Sequence, residues 1–300
     1  MVSWRDIVFC AGLLAGCGAH KSHKHLISPE EQLSQVRQLY LDQIYNHVTI
    51  EGFILVDECD SLLFSSLAAI ARGEEIQIDA AKDASGAWHR RPAMDCHLQL
   101  GGSSISRDML VGLMAYMLYF SRLDLAEQLW EYGKKHSWTM GQETRPLDTR
   151  TILTPNLIGL LARIIHHMGG KDHNERFLPP IYSTAPGYVS HLTMLQMWME
   201  ARMSGSLGGL SIQQLDQIRT DSPRNPLAQA MYHKYVDGDQ SLAKELLLSI
   251  WPQDRLPTSE DWCDPWRTQR ADGDSGLEPC AAGIEHTGGD LLFVLRIMED

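Results

Sequence analysis

The sequence predicts an all-α fold, built as a two-layer array of helical hairpins, and three observations carry that prediction. Helix start and stop residues recur at nearly every boundary along the chain. The apolar segments between them are of two kinds, some apolar on every face and some two-faced, as the inner and outer helices of a layered domain require. Alternating polar and apolar residues are confined to short pieces near Glu74–Ile78 and Asp95–Leu100.

Each element follows from local chemistry. Ser28-Pro29-Glu30-Glu31 combines an N-cap, a proline at the first helical position and the glutamate of a capping box, which predicts a helix to about Asn46. Asp60 caps a second helix through Leu62, Leu63, Leu67 and Ile70, closed by Gly73. Ser106 caps a third, whose body MLVGLMAYMLYF must be buried on all sides. From Leu123 to Ser137 the pattern turns amphipathic: Leu125, Leu129 and Tyr132 share one face, Glu127, Glu131 and Lys135 another, so this helix belongs outside. Thr154-Pro155 opens the next, which ends at Gly169-Gly170 with His166-His167 complementing its C-terminal dipole. Helices over 188–203, 211–219, 225–236 and 239–251 follow, the last two divided by Asp237-Gly238-Asp239. Residues 252–290, rich in Trp, Asp, Gly, Cys and Pro, predict a long irregular loop of the functional kind, before Leu291–Met298 docks as a final helix.

Composition bounds the function. The chain has 300 residues, 44% hydrophobic and 21% charged, which excludes a disordered or collagen-like protein. No segment reaches the roughly 18–20 uninterrupted apolar residues of a spanning helix. A formal charge of −12, from 26 Lys plus Arg against 38 Asp plus Glu, argues against a nucleic-acid partner. No Walker, HExxH or GxSxG pattern occurs, and neither a cofactor nor a metal site is expected.

The N-terminus, MVSWRDIVFCAGLLAGC, has one Arg, a short apolar stretch Ile7–Leu14, and small residues before Cys17. It resembles a bacterial lipoprotein signal peptide with the lipobox Leu14-Ala15-Gly16-Cys17. The resemblance implies removal of residues 1–16 and acylation of Cys17, hence an exported protein held to the membrane by lipid. Gly18 follows the cysteine where Asp would retain the protein, so an outer membrane is implied in a two-membrane cell. The competing reading is a frayed N-terminal helix, which Asp6 favours. Loss of Arg5 and Asp6 together leaves the net charge unchanged. Residues 17–27 then form the lipidated Cys and a polar tether, and 28–300 a single helical domain. Cys59, Cys96, Cys263 and Cys280 remain, to be read as two disulfides of undetermined pairing or as buried thiols.

The helical pattern over Ser28–Trp251 resembles that of the (α/α) toroids found among bacterial glycan hydrolases and lyases, without a family signature. The rival is an α-solenoid, suggested by LDLAEQLWEYGKKHSW, although this pattern does not repeat at a fixed period.

Three loops collect chemistry. The first runs from Trp88, His89, Arg90 and Arg91 to Gly101-Gly102-Ser103-Ser104, Arg107 and Asp108, where a helix start beside arginines suits an anionic group. The second is Trp138 with Arg145. The third holds Trp266, Arg267 and Arg270 before His286 and Asp290. Indole faces beside polar groups suit a sugar ring, and suit loop anchoring equally. Glycan hydrolysis needs two carboxylates about 5–9.5 Å apart, with Asp57, Asp60, Asp108 and Asp290 as candidates. A lyase needs a base such as His89, His191 or Tyr188 with an arginine for a uronate. The expected function is a glycan-active hydrolase or lyase, with Trp88, Arg90, Arg107, Trp138, Trp266 and Arg270 on the ligand. The alternative is a non-catalytic envelope protein that binds a partner.

Overall fold

The computed structural model describes residues 28–45, 50–54, 61–92, 105–140, 151–173, 182, 188–250 and 289–300. Among them run ten α-helices: α1 (Pro29–Tyr45), α2 (Ser61–Arg72), α3 (Arg107–Tyr119), α4 (Leu123–Lys135), α5 (Pro155–His167), α6 (Tyr188–Ser204), α7 (Gly209–Asp221), α8 (Pro226–Tyr232), α9 (Ser241–Ile250) and α10 (Gly289–Glu299). A 3-10 turn covers Ile78–Ala81 and a π turn His233–Asp237. No strand occurs among the described residues, so the all-α expectation holds.

The caps do what their residues dictate. The Glu31 N–H donates to Ser28 Oγ at 3.2 Å, Leu157 N–H to Thr154 Oγ1 at 3.4 Å and Ala228 N–H to Asn225 Oδ1 at 3.0 Å. At the far end of α2, Gly73 turns left-handed at φ +70°, so that Glu74 N–H reaches Ala69 O at 3.1 Å. Gly169 does the same for α5 at φ +83°, with Gly170 N–H on Ile165 O at 2.9 Å.

Four expectations are corrected. Ser106 stands at the N-cap of α3, but its hydroxyl donates to the Asp108 carboxylate and makes no bond to the helix backbone. The amphipathic helix α4 stops at Lys135, two residues early, because Ser137 and Trp138 both take left-handed backbone angles, φ 51° and 62°. The helix drawn over 225–236 breaks at Tyr232 into a π turn, closed where Gly238 N–H reaches back to His233 O at 2.5 Å. The extended piece at Glu74–Ile78 joins no ladder: the Tyr116 hydroxyl accepts from Ile76 N–H at 3.0 Å and donates to Ile76 O at 2.9 Å, replacing a partner strand.

Helix direction is read from pairs of contacts. A Cβ placed on Gly112 would stand 3.0 Å from Leu63 Cα, and one on Gly73 would stand 3.8 Å from Tyr119 Oη, so α2 and α3 run the same way. Arg37 donates to Ala71 O at 3.2 Å and pairs with Glu299 at 2.5 Å, which brings the last turns of α2 and α10 together. Trp198 meets Phe293 with ring centroids 5.0 Å apart, while Arg202 reaches Asp300 at 3.5 Å and lies 4.6 Å over the Tyr119 ring. Lys234, just past α8, donates to Ile297 O at 2.7 Å. The C-terminal ends of α2, α3, α6, α8 and α10 therefore meet at one end of the molecule. Their dipoles place negative charge there, and Arg37, Arg202, Lys234 and Arg296 complement it.

These five helices also close a cycle of neighbours: α2 packs on α3, α3 on α6, α6 on α8, α8 on α10, and α10 on α2. The remaining helices flank it, α4 and α5 against α3, α7 and α9 against α8, and α1 against α9. An open solenoid keeps its first and last helices apart, so contact between α10 and α2 disfavours that rival. Ser61–Ala71 in α2 and Asp108–Leu118 in α3 are buried without a break, as the all-apolar body of α3 requires. In α4, by contrast, Leu125, Leu129 and Tyr132 face the core while Glu131 and Lys135 are exposed.

Candidate functional site

Since the cycle's C-terminal ends coincide, its first turns gather at the opposite end, and buried polar side chains concentrate there. Ser61 and Ser65 belong to α2, Asp108 to α3, Ser190, His191 and Thr193 to α6, and Asn225 precedes α8. Two connections bring more. His89 and Arg90 cross the start of α2, where Leu62 N–H donates to Arg90 O at 2.9 Å. Thr151 Oγ1 donates to Ile105 O at 2.6 Å just before α3, and Met140 N–H donates to Thr151 O at 2.8 Å. Through that second connection Trp138 arrives at the same end.

Around α2 the polar groups are mutually engaged. Ser61 Oγ donates to Ile54 O, and Ile54 N–H donates to Ser65 Oγ at 2.9 Å, so residues 53–54 are stitched across the first turn. Asp83 organises the loop before His89. Its Oδ1 accepts from Ser85 N–H at 2.7 Å, Ser85 Oγ at 2.6 Å and Ala87 N–H at 3.1 Å, and its Oδ2 lies 3.2 Å from His89 Nε2. Burial raises the Asp83 pKa, but the bonds from Ser85, His89 and Ala87 outweigh it and hold the carboxyl below its ordinary value. His89, only 2% exposed, is thus one half of an internal imidazole–carboxylate pair.

The other predicted residues take varied places. Trp88 is buried at 1% exposure with the Lys82 ammonium 5.7 Å over its ring, so its faces are occupied by the protein. Arg90 is half-buried and Arg107 exposed. Asp108 is buried in the first turn of α3, where a carboxylate complements the positive dipole end. Asp290 falls in the first turn of α10, with its side chain outside the described residues. Cys17, Asp57, Asp60, Trp266, Arg270 and all of Cys59, Cys96, Cys263 and Cys280 lie outside them too, as do residues 251–288.

Trp138 is half-buried, unlike Trp88. Its N–H donates to Gly133 O at 2.7 Å, and its ring lies so close to Gly133 that a Cβ there would stand 2.6 Å away. The ring meets Trp130 edge-on at 4.8 Å, and Trp130 in turn stacks on His173 at 3.9 Å. A left-handed backbone at a non-glycine residue costs roughly 1–2 kcal/mol, which this packing offsets. The result is a fixed indole with part of its surface turned to solvent.

Sequence reasoning missed Asp83, Thr151, Trp130 and His173. Asp83 carried a signal, since Asp-Ala-Ser-Gly is turn chemistry with a side-chain acceptor. The others are long-range contacts that no local pattern announces. Among the described residues no group of three ligating side chains could hold a metal ion, and no helix is long and apolar enough to cross a membrane. The chain matches no family model, and no curated protein or solved structure is similar to it.

Proposed function

We propose that this chain is an exported, lipid-anchored envelope protein that acts on a glycan at the N-terminal end of its parallel helices. One observation carries the reading: the buried carboxylate of Asp108, the imidazoles of His89 and His191, the guanidinium of Arg90 and the indole of Trp138 all stand at that end. The first turns of α2 and α10, next to Asp60 and at Asp290, belong to it as well. The parallel cycle of helices supports the toroid-like architecture, and the lipobox at Cys17 supports the anchor and an outer-membrane address. In a hydrolase, Asp108 would work against Asp60 or Asp290; in a lyase, an imidazole would take the proton and Arg90 the uronate. Trp138 offers the surface on which a sugar ring stacks.

A second reading has its own support. His89 and Asp108 are 2% and 5% exposed and bonded to protein partners, as groups that hold a non-catalytic binding surface in shape would be.

Two measurements separate these readings. Fatty-acid labelling of wild type and Cys17→Ser tests the anchor, with label expected only in the wild type. Release of reducing ends from envelope glycans tests the activity, with a loss of about 10²–10⁴-fold expected in Asp108→Asn or Asp290→Asn if either is the general acid or base. Unlabelled wild type overturns the lipoprotein reading. Glycan binding without cleavage by the wild type overturns the catalytic one, and cleavage unchanged in both aspartate variants overturns the roles of Asp108 and Asp290.

A further inference from the structure

Helix α8 lies inside the protein, with residues 226–231 all buried and α6, α7, α9 and α10 packed against it. Apolar side chains would suffice there, yet one side of α8 and of the π turn after it carries Asn225, Gln229 and His233, which are 0%, 1% and 9% exposed. They recur every four residues, so they follow one another at about 6 Å along the same face. One polar atom of each is engaged. Asn225 Oδ1 accepts from Ala228 N–H at 3.0 Å, Gln229 Nε2 donates to Pro223 O at 3.0 Å, and His233 Nδ1 donates to Asp237 Oδ1 at 2.5 Å. Those bonds fix which way both amides and the ring are turned. The remaining atoms, Asn225 Nδ2, Gln229 Oε1 and His233 Nε2, are buried and meet no hydrogen-bond partner among the described residues. Buried polar atoms left unpaired are costly and rare, and three on successive turns of one helix call for a shared partner.

That partner must be small, since all three side chains are more than nine-tenths buried. It must also both donate and accept, because an amide N–H, a carbonyl oxygen and an imidazole nitrogen face it. Water meets both conditions, and it serves the ring in either protonation state, donating to a bare Nε2 and accepting from a protonated one. We propose that this face of α8 is an internal hydration site for a bonded pair of waters. The first accepts from Asn225 Nδ2 and donates to Gln229 Oε1 and to the second water. The second donates to the other lone pair of Gln229 Oε1 and to His233 Nε2. Each water then makes three bonds, the usual number for an internal one, and all three buried atoms are paired. The pair bridges the point where α8 gives way to the π turn after Tyr232. It also carries hydrogen bonding without a break from Asn225, at the polar end of the cycle, to Asp237, whose side chain is 45% exposed.

The test is a crystal structure of the full chain at a resolution that shows ordered water. The expected result is a pair of water peaks, each about 2.7–3.2 Å from the atoms assigned to it. Asn225, Gln229 and His233 bonded directly to one another, or a site that holds no water, overturns the proposal. In solution, magnetic relaxation dispersion of water oxygen counts the waters that stay bound. Gln229→Met keeps the length of the side chain but removes the acceptor both waters use, and should lose the pair. Gln217→Met, at an exposed position of α7, should lose none. Circular dichroism shows that each variant is folded, and the wild-type crystal decides the matter should Gln229→Met unfold. A folded Gln229→Met that keeps the wild-type count overturns the proposal.

Discussion

Replacing Gly112 by alanine probes the close contact between α3 and α2. The added Cβ would stand 2.7 Å from Leu63 Cδ1, 3.0 Å from Leu63 Cα and 3.5 Å from its carbonyl oxygen. A leucine methyl can rotate away, but Cα belongs to the backbone of α2, which is buried along Ser61–Ala71 and flanked by both α3 and α10. The two helices must separate by about half an ångström, and overpacking of this kind costs about 1–3 kcal/mol. Alanine returns about 0.8–1.0 kcal/mol through helix propensity. The net expectation is destabilisation of up to about 2 kcal/mol, or up to roughly 8 °C in Tm for a domain of this size, and a gap of about 1–3 kcal/mol from a glycine-to-alanine change that gains the propensity without the clash. Gly209→Ala is the control, because it too lies in a helix and has no neighbour within 4 Å of its added Cβ. It should leave stability unchanged or slightly raised. Urea unfolding followed by circular dichroism reads the difference, as a lower midpoint at constant slope for Gly112→Ala alone. A Gly112→Ala protein as stable as Gly209→Ala would refute the close parallel packing of α2 on α3.

Other expectations follow from single contacts. Tyr116→Phe removes the hydroxyl that serves both backbone groups of Ile76, and should destabilise by about 1–3 kcal/mol with loss of amide protection at Ile76 in hydrogen exchange. The same phenol, whose pKa burial pushes up to about 12, should not ionise in a spectrophotometric titration at pH 10. The folded Asp83 carboxyl titrates below its unfolded value of 3.8, so its stabilisation is present above that value and is lost as pH falls through the folded one. Urea midpoints of wild type and Asp83→Asn should therefore converge between about pH 5 and pH 2; a gap that stays constant would show that the charge of Asp83 is not what stabilises the loop.

Helix content and most helix ends were legible in the sequence because they are set by neighbours within a turn or two. Thr154, Asn225 and Ser28 satisfy N–H groups three residues on, and Gly73 and Gly169 supply left-handed angles that other residues resist. The distinction between the all-buried α3 and the two-faced α4 was equally local, since the 3.6-residue period writes burial directly into the pattern. The same period failed at Lys135, where Trp138 folding onto Gly133 and Trp130 decided the helix end from outside the helix.

Of the candidate site, residue types were legible in the sequence: Asp60, Asp108 and Asp290 at helix starts, and His89 in a loop. Whether those starts share one end depends on helix direction, and nothing within a helix records whether its neighbour runs parallel or antiparallel. That is decided by contacts between residues far apart in the chain, Gly112 on Leu63, Arg37 bridging Ala71 and Glu299, and Arg202 reaching Tyr119 and Asp300. Only the tertiary structure could show that five first turns converge, or that Asp83 lies beside His89. Local sequence determined the elements because hydrogen bonds within a helix span four residues. Packing decided the site because burial energy depends on which faces meet, and not on their separation along the chain.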